Sequence, residues 1–123
     1  VLEVGIGGRL DTVNIMDADV SIVTNIDLDH QKWLGKDLES IGREKSGIFR
    51  KNRPVVLGLN MPSSILERAE ELSCPTYALN KEFLIQQHEN SIEYLNIISL
   101  NNLSLKLLTD DVKKFFINSG MLV

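Results

Sequence analysis

The sequence holds a single cysteine, Cys74, so no internal disulfide can staple it. It has no apolar run approaching the roughly 18 to 20 residues that a membrane-spanning helix needs. It also lacks a charged opening segment followed by an apolar one, and residue 1 is Val, which reads as a cut edge. Positive charge is in deficit: 13 Lys and Arg stand against 17 Asp and Glu, a formal net charge of -4, so no basic field exists to hold nucleic acid or an anionic membrane. No internal repeat and no low-complexity tract is present. These absences set aside disulfide scaffolds, membrane spans and nucleic-acid partners, and they imply a cytoplasmic setting. What is present, 43% hydrophobic and 24% charged residues over a length of 123, suits one globular domain with a core.

Val1 to Ile6 is apolar and β-branched around Glu3 and predicts a strand that gives way at Gly5, Gly7 and Gly8. The run VSIVTNI predicts a buried parallel strand ending at Asp27. Asp37, with Ser40 three residues on, predicts a cap for a helix through LESIGREKSGIFRK, although Gly42 and Gly47 each cost it about 1 kcal/mol relative to Ala. PVVLGL is a second buried-strand signal. Pro62, with Ser64 and Glu67 in capping-box spacing, predicts the start of a helix over SILERAEELS, with Ile65, Ala69 and Leu72 on one face. PTYAL predicts another strand. Residues 1–80 therefore read as an α/β part, a parallel sheet flanked by helices. Leu103, Leu105 and Leu107 alternate with polar residues, so 81–108 reads as antiparallel strands, and 109–123 as a divergent tail with a short terminal helix.

Ligands of parallel α/β sheets bind beyond the carboxyl ends of the strands, where three polar clusters fall: Glu3 with GIGGRLDTVN, Thr24 to His30, and Lys45. The glycines let backbone approach a ligand closely, with Arg9 and Asp11 beside them as a cation and a carboxylate. The spacing fits neither a Walker A loop nor the GxGxxG fingerprint, because Leu10 takes the last glycine position, and taken alone the segment reads as a tight strand-to-helix turn rather than a ligand loop. Glu3 in an apolar strand calls for a cation or metal opposite it. His30, after Asp27 and Asp29, reads either as a ligand of a divalent metal or as a solvated loop histidine. Lys45 reads as a solvated helix cation, and Cys74 and His88 as structural or surface residues.

Taken together and in order, EVGIGGRLDTVN, TNIDLDHQKWLG and IGREKSGIFR resemble the central domain of folylpolyglutamate synthase, in its bacterial bifunctional dihydrofolate synthase form within the Mur ligase superfamily. The resemblance is specific over residues 1 to about 58 and weaker as far as residue 105. It implies a Mur ligase central-domain, P-loop-related fold. It implies an ATP-dependent ligase that activates a carboxylate as an acyl phosphate, which the amine of L-glutamate displaces, with dihydropteroate or folate as acceptor. It further implies Glu3 and His30 as Mg²⁺ ligands, Lys45 as a carbamylated, metal-binding and catalytic lysine, and Leu10, Asp11 and Thr12 as pteroate contacts. A carbamate turns a repelling ammonium into a hard oxygen ligand, which is the chemistry Mg²⁺ prefers.

The family's phosphate-binding loop GTNGKGS does not occur in the sequence, so no ATP-binding residue is assigned. Asp27, Gln31 and Lys32 depart from the usual residues of the IGLDH signature. The expectation is a truncated central domain that holds the metal and pteroate side of the site, is inactive alone, and comes from a monomeric parent enzyme. The alternatives are a non-catalytic remnant or binding module of the same ancestry, and a Rossmann-like nucleotide-binding module.

Overall fold

A computed structural model describes residues 1–27, 37–88 and 91–96. The chain divides into two compact units, Val1–Thr76 and Tyr77–Val123. In the first unit, strand β1 (Ser21–Val23) leads to helix α1 (Leu38–Lys45), strand β2 (Val55–Leu57) and helix α2 (Ser63–Glu71). Strand β3 (Thr76–Ala78) completes a sheet of order β1-β2-β3. β1 and β2 run parallel, with Ser21 beside Val55 and Val23 beside Leu57. The second unit contains the antiparallel pair β4 (Phe83–His88) and β5 (Ser91–Asn96), in register from Phe83 with Asn96 to His88 with Ser91. The helix-flanked parallel pair and the later antiparallel hairpin are the α/β pattern that the sequence implies. Leu103, Leu105, Leu107 and the tail 109–123 lie outside the described residues.

β2 is the centre of the first unit: Val55, Val56 and Leu57 are all buried, which is why its sequence is an unbroken apolar run rather than an alternating one. Val23, Ile41, Phe49, Ile65 and Ala69 are buried with them. Each fully buried Val, Ile or Leu contributes about 1.5 to 3 kcal/mol from the water it leaves.

Asp37 caps α1 as expected, its side chain accepting from the Ser40 N–H at 2.7 Å. Gly42 stands where α2 approaches most closely: a Cβ there would lie 2.3 Å from Ser64 Oγ and 2.9 Å from Pro62 Cγ. The glycine that weakens α1 as a helix thus permits its contact with α2. The α2 start differs from expectation. Pro62 is its N-cap, with no side-chain cap bond. Instead, the Glu39 carboxylate on α1 accepts from the Ser63 and Ser64 N–H groups at 3.1 and 2.8 Å, while Ser64 Oγ donates to the Glu39 carbonyl at 3.0 Å. The capping residue is borrowed from the neighbouring helix, because an anion there meets both the orphan N–H groups and the positive end of the helix dipole.

Those bonds, above all the one from the Ser64 N–H, hold the Glu39 carboxyl below its ordinary value of 4.5. A lowered folded-state pKa gives stability that is present above the ordinary value and is lost as pH falls through the folded one. Glu39→Gln is therefore expected to lower the melting temperature at about pH 6 and to flatten its decline toward about pH 3. Parallel melting curves for both chains across that range check this.

The first six residues correct the sequence reading. Val1–Ile6 forms no strand, and Glu3 is exposed rather than buried in an apolar strand. Val1 and Leu2 are 94% and 61% exposed. A strand exists only by pairing, and among the described residues none pairs with this stretch, so β propensity alone does not make it a strand. Glu3 consequently needs no buried counter-charge.

Candidate functional site

The glycine-rich turn and the end of α1 meet in space. Gly7 takes a positive φ of 76°, which glycine adopts without strain. Gly8 is buried against the carbonyls of Glu44 and Lys45; a Cβ on it would lie 2.8 and 2.9 Å from those oxygens. The next residue, Arg9, donates its backbone N–H to the Glu44 carbonyl at 2.9 Å and pairs its guanidinium with the Glu44 carboxylate at 3.0 Å. The turn therefore packs on the C-terminus of α1 and supplies a further donor to one of its last carbonyls. It is not the expected strand-to-helix turn. Among the described residues no strand leads into it, and a short 3-10 turn, Thr12–Ile15, follows it. A Rossmann-like reading needs a full helix N-terminus at this place to receive a pyrophosphate, so it loses its structural basis.

Asp11 folds the loop onto itself. Its Oδ2 accepts from the Gly5 and Ile6 N–H groups at 3.0 and 3.4 Å, and its Oδ1 from the Val13 N–H at 3.0 Å. The Val13 bond, with those of Ile6 and Gly5, holds its carboxyl below the usual carboxylate range. With Asp11 engaged inward, its neighbours Leu10, 79% exposed, and Thr12 face solvent. Ile6, Ile15 and Met16 are exposed near them in the chain, so the loop presents apolar surface.

A second tie lies farther along. Asn14 donates from Nδ2 to the carbonyls of Arg9 and Gly47 at 3.0 and 3.2 Å. The Arg50 guanidinium donates to Asn14 O at 2.8 Å, Asn14 Oδ1 at 3.0 Å and Ile48 O at 3.2 Å, and pairs with Asp17. Gly47 has no room for a side chain, since a Cβ would sit 2.4 Å from Arg9 Cβ. Nearby, Arg9, Arg43 and Arg68 line a cleft with Glu67 and Glu71. Two of its three arginines are paired, Arg9 with Glu44 and Arg68 with Glu71.

Of the residues singled out from the sequence, Leu10, Asp11, Thr12 and Lys45 thus belong to one neighbourhood, joined at Gly8. Lys45 is the half-buried last residue of α1. Glu3 lies at the exposed start of the chain, and His30 lies outside the described residues. Among the described residues no three His, Cys, Asp or Glu side chains converge as a metal site. Sequence reasoning missed Asn14 and Arg50. Arg50 closes the motif IGREKSGIFR, yet its partners Asn14, Met16 and Asp17 lie more than thirty positions away, beyond any local pattern. Cys74 is structural, as read: its thiol donates to the Arg50 carbonyl at 3.3 Å, and burial raises its pKa.

The close approach at Gly8 yields a prediction. Gly8→Ala places a methyl group on two backbone oxygens that cannot turn aside, so the loop is expected to leave α1 while the sheet persists. Amide exchange should accelerate at Arg9 and Asp11 and stay unchanged at Val55.

An α/β segment with a glycine turn seated on the end of a lysine-bearing helix is the class that fold and site define. No protein-family profile matches the chain. The dihydrofolate synthase/folylpolyglutamate synthase of Escherichia coli is 61% identical over 72 residues, which cover 58% of this chain and 17% of that protein. The Haemophilus influenzae protein of the same name is 43% identical over 97 residues, covering 78% and 22%. The solved structure of E. coli FolC in complex with DHPP and ADP superposes with a TM-score of 0.71 at 45% identity, over 76% of this chain and 23% of that one. The bifunctional folylpolyglutamate synthase/dihydrofolate synthase from Yersinia pestis, complexed with AMPPNP and Mn ion, gives 0.69 at 45% identity, over 81% and 25%. Over the matched part of its length the chain corresponds to a segment of the dihydrofolate synthase/folylpolyglutamate synthase family. They span about a fifth of the length of the curated relatives they match. Among the described residues no helix is long and apolar enough to cross a membrane.

Proposed function

We propose that this segment supplies the pteroate-contacting and metal-binding part of an ATP-dependent ligase that joins L-glutamate to dihydropteroate or folate. In that reaction the carboxylate of the pteroate takes the γ-phosphoryl group of ATP, releasing ADP. The glutamate amine then attacks the acyl carbon, phosphate leaves with the bonding electrons, and the amine gives up a proton to form the amide. Phosphoryl transfer of this kind rests on positioning and charge neutralisation rather than on a protein nucleophile, which agrees with a site built of a loop, a lysine and carboxylates.

Leu10 and Thr12 present the outer face of the loop to the flat pteroate ring system, while Asp11 holds that face in shape through Gly5, Ile6 and Val13. Lys45, as its carbamate, with Glu3 and His30, is the proposed ligand set for Mg²⁺, which would neutralise charge on the transferring phosphoryl group. The observation that carries the reading is the seating of Gly8 on Glu44 and Lys45, which joins two of the three family-like motifs in one neighbourhood. Solved relatives that bind ADP, AMPPNP, Mn ion and DHPP support it. A cytoplasmic location and a monomeric parent enzyme belong to the same reading.

Calorimetric titration with dihydropteroate tests the loop assignment. Saturable binding is expected, weakened about tenfold by Leu10→Ala, a loss of about 1.4 kcal/mol, with an unchanged circular dichroism spectrum. Leu10 is too exposed for its truncation to disturb packing. Equal affinity in both chains would remove Leu10 from the site.

A further inference from the structure

Arg50 and Asn14 make more bonds to the loop and to the stretch just after α1 than a surface pair requires. The Arg50 side chain is only 24% exposed. Its guanidinium reaches the carbonyls of Asn14, Met16 and Ile48 and the Asn14 side-chain oxygen, while its Nε faces Asp17. Asn14 in turn donates to Arg9 O, within the loop, and to Gly47 O, two residues beyond Lys45. The two side chains therefore bridge both ends of the segment 10–12 to the turn Ser46–Ile48 that follows Lys45. None of these bonds stabilises a helix interior or a strand.

We propose that Asn14 and Arg50 are positioning residues: they clamp the 10–12 loop at a fixed place beside the end of α1, and so set the affinity of the pteroate that the loop contacts. This rests on the loop assignment made above. The planar guanidinium suits the task because its five donors diverge in fixed directions, so that one group serves acceptors from two chain segments at once. An ammonium on a flexible stem keeps the charge but cannot span the same acceptors. The loop's other restraints lie toward its start, where Asp11 holds Gly5, Ile6 and Val13 and Arg9 reaches across to Glu44, so without the clamp the bonds that remain to Val13 to Met16 among the described residues are the 3-10 turn's own and that of Asp11 to Val13.

The test compares the chain with Arg50→Lys, and with Asn14→Ala in case the first variant fails to fold. Amide hydrogen exchange is read at Asn14 and Met16, which bond within the loop, and at Val55 and Gly58, which bond within the sheet. The expected result is exchange faster by about tenfold or more at Asn14 and Met16, unchanged exchange at Val55 and Gly58, and dihydropteroate affinity at least about tenfold weaker. Unchanged loop exchange overturns the clamp. Equal acceleration in loop and sheet also overturns it, because Arg50 would then be a general stabiliser. A loosened loop with full dihydropteroate affinity overturns the link to the ligand. If the parent chain binds no dihydropteroate, the loop assignment fails and the ligand half of the proposal fails with it. The exchange pattern alone then still decides whether the clamp holds the loop.

Discussion

Lys45→Ala, carried by the E. coli relative in which this chain's sequence replaces the matching 72-residue stretch, is expected to lose about a hundredfold or more in turnover while melting at the unchanged temperature. The structural half follows from where the lysine sits. Gly8 rests on the Lys45 carbonyl and Cα, both of which alanine keeps, and α1 already carries its last turn. Alanine is also the better helix former. The catalytic half rests on the proposed carbamate: without it, charge neutralisation on the transferring phosphoryl group loses an oxygen ligand. Lys45→Gln should be equally inactive, since an amide brings no anionic oxygen. Formate or acetate at high concentration should restore part of the alanine variant's turnover by standing in for the carbamate. Near-normal turnover of the alanine variant at limiting magnesium would leave Lys45 a solvated helix cation.

Gly42→Ala is expected to destabilise the first unit by about 1 to 2 kcal/mol, although helix propensity alone favours alanine by about 1 kcal/mol. The added Cβ would overlap Ser64 Oγ at 2.3 Å and press on Pro62 Cγ at 2.9 Å. Ser64 cannot retreat freely, because its hydroxyl donates to the Glu39 carbonyl and its N–H is held by the Glu39 carboxylate. Relief of the overlap therefore parts the helices and breaks the borrowed cap together. Denaturant unfolding should show a lower midpoint with an unchanged slope. A raised midpoint would mean that the helices pack less tightly than the 2.3 Å approach implies.

Local signals were readable from the sequence where the interaction itself is local. Asp37 caps α1 through Ser40, three residues away, and the apolar run of PVVLGL becomes the buried centre of the sheet. The start of α2 misled because its cap comes from Glu39, more than twenty positions earlier, while Ser64 and Glu67 only imitate a capping box. Val1–Ile6 misled for a related reason: strand composition expresses a preference that pairing must complete. The glycine turn was legible as a site for close approach, but not what it approaches, and Gly42 and Gly47 read as helix weaknesses because their neighbours are remote. Arg50 stood inside a quoted motif without a role, since its acceptors on Asn14 and Met16 are brought near only by the fold.

The central claim is that this segment performs the pteroate and metal side of glutamate ligation. Its most direct test is incorporation of radiolabelled glutamate into dihydropteroate by the E. coli graft described above, with the ungrafted 123-residue chain alongside. The account predicts a rate within about tenfold of the parent enzyme for the graft, a difference of about 1.4 kcal/mol in barrier, and none above background for the chain alone. A folded graft that binds ATP yet incorporates no glutamate would contradict it.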